Sequence, residues 1–223
     1  MANIDLSPGQ KIQFETLMRE LLAWNQKLNL TSITNKDEIE IKHFLDSLSV
    51  VDSIPKDAKS LVDIGSGAGF PGIPIKIVRP DLKVTLLETA AKKVAAMQSI
   101  ISTLGLSGIE AIQARAEDAG RDPKFREHFD VATARAVAAL PVLVEYALPL
   151  IRPGGILIAQ KTAGQKEIED AENAIRILGG KLKEVLHVKL PSLADRQLVV
   201  IEKISITPPE YPRRAGLPTK KPL

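Results

Sequence analysis

Cysteine is absent from the 223 residues. That excludes disulfides, thiolate zinc sites and a cysteine nucleophile, and it fits a reducing compartment. Long apolar runs are also missing: the longest candidate, Leu140 to Ile151, is broken by Pro141, Glu145 and Pro149 and falls short of a membrane span. The opening MANIDLSPGQ has neither the basic region nor the apolar stretch of a signal peptide. The expected location is therefore the cytoplasm, with no membrane association, and the sequon Asn29-Leu30-Thr31 has no consequence there. There are no repeats or low-complexity segments. A content of 44% hydrophobic and 26% charged residues points to a soluble enzyme rather than to disorder or fibres.

Charge of one sign is scarce as well. The formal net charge is only +3, and its placement is more informative than its size. From Ile204 onward Arg213, Arg214, Lys220 and Lys221 face a single acid, Glu210, so a proline-rich tail holds the whole excess. Such a tail reads first as a solvated terminus and second as an electrostatic hand for phosphates.

The length suits one domain with an extension. Residues 1–55 read as helical: Ser7-Pro8 is a cap and first-turn pair, and Ile12, Leu17, Met18, Leu21, Leu22 and Leu28 recur at helical spacing. A second helix is expected from about Asn35, with Asp37, Glu38 and Glu40 in its early turns. Across residues 56–206 strands alternate with helices. The strands are expected at 60–64, 83–87, 109–114, 129–134 and 156–160, and the helices at 90–104 and 138–150 and ending at 178. Segments 181–190 and 197–203 have only a loop between them and read as an antiparallel pair. The pattern predicts an α/β, doubly wound, Rossmann-like sheet, mostly parallel with one antiparallel strand, preceded by N-terminal helices. A basic tail, 207–223, is expected to pack on or near the same domain. Ligands of such sheets sit at the carboxyl ends of the strands.

The first strand runs into Asp63-Ile64-Gly65-Ser66-Gly67-Ala68-Gly69-Phe70-Pro71-Gly72, a glycine-rich turn between strand and helix. Gly67, Gly69 and Gly72 also satisfy a dinucleotide fingerprint, so a nicotinamide-linked oxidoreductase is one reading. Three features favour S-adenosylmethionine. Asp63 would repel a pyrophosphate and suit an ammonium group; Gly65 adds an earlier glycine; Pro71 lacks the backbone N–H that a phosphate would want. Glu88, at the end of the second strand, can accept from both ribose hydroxyls, a role open to either class of nucleoside ligand. Ala116-Glu117 follow the third strand, where backbone groups can read an adenine edge.

These segments resemble the bacterial small-subunit rRNA methyltransferase G (GidB) family. The resemblance is carried by DIGSGAGFPGIPI at 63–75, NLTSI at 29–33, HFLDSL at 43–48, RAE at 115–117, ARAVAAL at 134–140 and YPRRAGLPTKKPL at 211–223. It implies methyl transfer from S-adenosylmethionine to N7 of a guanine in 16S rRNA, in the helix 18 loop near the decoding site. The partner is then 16S rRNA or the small ribosomal subunit, met by a monomeric enzyme. Carried over by motif, Gly65 and Phe70 line the cofactor, Ala116-Glu117 contact its adenine side, and Arg135 lies beside cofactor and substrate. The exocyclic-amine signature Asn-Pro-Pro-Tyr is absent after Arg135.

Guanine N7 bears a free lone pair and no proton, so the chemistry asks for proximity, orientation and dipoles rather than a general base or metal. Arg135 either orients guanine O6 or a phosphate, or pairs with Glu117 or a neighbouring acid. His43, Asp46 and Ser47 share a helical face and read as hydrogen-bonding partners of the glycine loop, with too few ligands for a metal. His128 and His187 read as surface residues. Arg213, Arg214, Lys220 and Lys221 are the candidate RNA contacts. A non-catalytic RNA-binding α/β module is the third reading, and it requires the cofactor loop to be blocked.

Overall fold

Ser7 opens the first helix through a reciprocal cap: its hydroxyl accepts from Gln10 N at 3.3 Å, and the Gln10 side chain accepts from Ser7 N at 2.9 Å. With Pro8 in the first turn, α1 (Pro8–Leu28) runs to Asn29, which closes it in the left-handed conformation. The computed structural model describes residues 5–162, 164–191 and 195–223. Leu17 and Leu21 are fully enclosed, whereas Ile12, expected on the apolar stripe, is 63% exposed. The second helix starts where Asn35 caps the Glu38 N–H. It is composite: α2 (Lys36–Ile39), a π-helical segment Glu40–Leu45, then α3 (Asp46–Leu48).

After a 3-10 turn the alternation begins: β1 (Ser60–Ile64), α4 (Gly72–Val78), β2 (Lys83–Glu88), α5 (Ala91–Thr103), β3 (Ile109–Gln113), α6 (Ala116–Ala119), β4 (Phe129–Arg135), α7 (Leu140–Ala147). Then come β5 (Ile151–Thr162), α8 (Gln165–Ile177), β6 (Gly180–Val188), β7 (Arg196–Lys203) and a short α9 (Leu217–Lys220). The helix expected over 138–150 is shorter, because Pro149 cannot continue it and Leu148–Leu150 tightens into a 3-10 turn. The sheet order is β3-β2-β1-β4-β5-β7-β6. β7 runs antiparallel to both its neighbours, the single reversal in an otherwise parallel sheet.

Side chains alternate along the strands and split the core in two. Leu61, Val84, Leu86, Val131 and Ile158 face α1, α4 and α5, whereas Val62, Ile64, Ala132, Leu157 and Val199 face α7 and α8. The N-terminal helices are part of the first core rather than an appendage, since Phe14, Leu17 and Leu21 pack in the same cluster as Ile75 and Val84. Among the described residues, no helix is long and apolar enough to cross a membrane. This topology brings the carboxyl ends of β1, β4 and β5 side by side, with the glycine loop on the first of them.

Candidate functional site

Three glycines of the loop adopt positive φ: Gly65 at 65°, Gly67 at 59° and Gly69 at 95°. Their surroundings differ. A Cβ on Gly65 would meet Val137 at 2.9 Å, and one on Gly69 would collide with Ile73. One on Gly67 would meet nothing nearer than the Gly65 carbonyl at 3.9 Å. Gly67 is thus the open seat of the loop, where a ligand can approach the main chain. Gly72 serves packing: a side chain there would run into Leu86 and the Asp63 carboxyl group.

Asp63 is fully enclosed. Its Oδ2 accepts from Gly72 N at 3.0 Å, its Oδ1 accepts from the Thr133 hydroxyl at 3.3 Å, and its carbonyl accepts from Ser66 Oγ at 2.9 Å. Burial pushes its pKa up to about 7 despite those bonds. Both oxygens of the carboxyl group, expected to meet a ligand's ammonium, are engaged within the fold, and Asp63 braces the loop against α4. Glu88 is the acid that reaches the open seat. Its Oε2 accepts from Gly67 N at 3.1 Å, and its Oε1 accepts from Thr89 N at 2.7 Å and Ala90 N at 2.9 Å.

Across the loop, Phe70 is stacked on His43 with ring centroids 4.7 Å apart and planes within 9°. The Arg135 guanidinium lies 5.4 Å from the same ring. Arg135 NH1 donates to Asp46 Oδ2 at 2.9 Å and to the Lys42 carbonyl at 3.0 Å, and NH2 donates to His43 Nδ1 at 3.2 Å. A guanidinium only donates, so His43 Nδ1 is the acceptor and Nε2–H points to Thr31 Oγ1, 2.8 Å away. Burial and the neighbouring Arg135 charge lower the His43 pKa to about 4. Its imidazole is neutral, with both nitrogens engaged.

Arg135 therefore pairs with Asp46, not Glu117. Sequence reasoning passed over two members of this cluster, Gln160 and Arg196. Gln160 lies beside Arg135 in the β4–β5 register and donates to the Asp46 carbonyl at 2.7 Å. Arg196 Nε stands 3.5 Å from Asp46 Oδ1. The visible signal for Gln160 was a buried amide ending the apolar run of β5.

Ala116 and Glu117 open α6, and both are buried. The Glu117 carboxylate accepts from Gly216 N at 3.0 Å, so its side chain holds the tail. The tail is docked elsewhere too. Arg213 makes a forked pair with fully buried Glu145, at 2.6 Å and 2.9 Å, and Arg126 donates to the carbonyls of Thr207 and Tyr211, both at 2.7 Å. Of the four cations expected to meet RNA, Arg213 is thus committed to a buried carboxylate. Arg214, Lys220 and Lys221 remain exposed.

The family model for rRNA small subunit methyltransferase G matches residues 10–199. The chain is 49% identical over 223 residues to the ribosomal RNA small subunit methyltransferase G of Pelotomaculum thermopropionicum, covering 99% of this chain and 93% of that one. It is 46% identical over 223 residues to the protein of the same name from Desulfitobacterium hafniense, covering 99% and 92%. Among solved structures, M. jannaschii TYW2 in complex with AdoMet superposes with a TM-score of 0.57 at 19% identity, covering 72% of this chain and 76% of that one. The B. subtilis tRNA methyltransferase TrmK superposes with a TM-score of 0.57 at 14% identity, covering 72% and 66%.

Proposed function

The chain belongs to the rRNA small subunit methyltransferase G family, and from that premise we propose that it methylates N7 of a guanine in 16S rRNA, in the helix 18 loop near the decoding site. The methyl donor is S-adenosylmethionine, whose sulfonium supplies an activated methyl group. The observation that carries the reading is the open seat at Gly67, with its N–H held by Glu88 at the adjacent strand end. There Gly67 allows backbone approach, Gly65 and Gly69 turn the loop around it, and Phe70 forms a wall. Glu88 accepts from a ribose hydroxyl through Oε2, which carries only the Gly67 bond while Oε1 is taken by Thr89 and Ala90, and the start of α6 at Ala116 and Glu117 borders the adenine.

What these residues leave out is also consistent with an N7 target. His43 has no free nitrogen to take a proton, and an in-plane lone pair needs none taken. The work left to the protein is orientation and exclusion of water. Arg135 does this as a positioning residue: it ties the wall of Lys42, His43 and Asp46 to the end of β4, across from Phe70. Arg214, Lys220 and Lys221 are the exposed cations offered to RNA phosphates. The reading takes the enzyme as a monomer acting in the cytoplasm, where ribosomal RNA is found.

The test is direct. Small subunits from cells lacking the protein are incubated with it and methyl-tritiated S-adenosylmethionine, and the labelled nucleosides are identified and mapped. We expect 7-methylguanosine at a single helix 18 position. Label in another nucleoside, or none, would overturn the assignment.

A further inference from the structure

The motif at 134–140 follows β4 with Ala136 to Ala139, none of which carries a polar side chain. Ala136 stands at φ 54°, in the left-handed region that strains a residue with a Cβ. Val137, next in the chain, lies against the glycine loop: its Cγ2 is 2.9 Å from where a Cβ on Gly65 would stand. Ala139, which opens α7, offers no side-chain cap, and Pro141 has no N–H. The loop is held instead from β5 and α8. Lys161 Nζ donates to the Ala138 carbonyl at 2.7 Å, and the Leu140 N–H donates to Glu167 Oε1 at 2.7 Å. Glu167 also pairs with Lys161 at 2.6 Å, so the two anchors are tied to each other. Charge-assisted bonds of this kind keep a strained backbone in one geometry.

Resting on the methyltransferase reading above, we propose that Glu167 is a positioning residue for methyl transfer, holding residues 136–139 as the wall beside which the methyl group is presented. The sheet order places the parts. Adenine at the start of α6 and ribose at Glu88 lie at the ends of β3 and β2, so the ligand runs on past β1 toward β4. Its sulfonium end then stands beside the loop that follows β4, since Ile64 and Ala134 are level in the β1–β4 register. In this role Glu167 meets neither cofactor nor RNA and acts through the Leu140 N–H and Lys161. A loop displaced by about 1 Å slows transfer while leaving the adenosine half its contacts.

The experiment compares wild type, Glu167→Ala and Glu167→Gln in methyl transfer to small subunits lacking the modification, with affinity for S-adenosylhomocysteine read by calorimetry. Glu167→Ala is expected to lower kcat on the order of 10- to 100-fold. Its KM for subunits and its affinity for S-adenosylhomocysteine should stay within about 3-fold of wild type. Glu167→Gln keeps an oxygen for the Leu140 N–H and should recover most of the lost rate. A kcat for Glu167→Ala within about 3-fold of wild type overturns the proposal. So does a glutamine variant no faster than the alanine one, or an affinity for S-adenosylhomocysteine that falls in step with kcat. If Glu167→Ala does not fold, Glu167→Asp, which withdraws the acceptor by one methylene, takes its place under the same criteria. Absence of 7-methylguanosine from the wild-type reaction would instead strike at the proposed function itself.

Discussion

Asp63 and His43 touch the glycine loop from opposite sides and titrate in opposite senses. An unfolded aspartate loses its proton near 3.8, whereas buried Asp63 keeps it to about 7. Between those values the native state binds more protons, so this residue makes stability fall as pH rises. His43 works the other way. An unfolded histidine takes up its proton near 6.5 and native His43 only near 4, so between them the unfolded state binds more protons and stability rises with pH. The two slopes oppose one another across the shared window. Asp63→Asn should therefore make urea stability climb more steeply with pH from 4 to 6.5, and His43→Asn should make it fall. A pH profile unchanged by both would show that neither group carries the perturbed proton. Arg135→Ala should still fold but lose about 3 kcal/mol, because buried Asp46 is left with Arg196 alone. It should also lose most methyl transfer, and full activity in that variant would remove Arg135 from the mechanism.

At the scale of elements, the basic tail divides into an anchor and a free face. Arg213→Ala strands the enclosed Glu145 carboxylate and should cost about 3–5 kcal/mol, read as a lower denaturant midpoint. Arg214→Ala with Lys220→Ala and Lys221→Ala should leave that midpoint within about 0.5 kcal/mol. The triple variant should weaken RNA binding and flatten its salt dependence. A salt slope identical to wild type would free those cations from any RNA role. This division could not be read from the sequence, where the four cations look alike, because Glu145 lies 68 positions from Arg213 and inside an apolar helix. Local signals fared better: the Ser7 cap, the glycines after β1 and the strand-end acid Glu88 are set by short-range geometry. The π-helical turn at Glu40–Leu45 and the Asp46–Arg135 pair have no such signature, since they depend on β4 arriving beside a helix 89 positions away. The surroundings of Asp63 were hidden for a related reason: strand alternation turns it toward α4, and Gly72 closes over it.

For the whole molecule, the sheet separates two packed layers, with the glycine loop at the carboxyl end of its first strand. The chain of rings from Phe14 through Phe44 to Phe70 connects the N-terminal helix to the glycine loop. A ligand seated at Gly67 therefore bears on the first core directly, and its binding should register as stability of the entire fold. The most direct measurement is the melting temperature of the protein with S-adenosylhomocysteine and, separately, with NAD. A ligand at about 100 times its Kd adds roughly 2.7 kcal/mol, so S-adenosylhomocysteine should raise the melting temperature and NAD should leave it where it was. A rise with NAD alone would contradict the central claim, as would no rise with saturating S-adenosylhomocysteine.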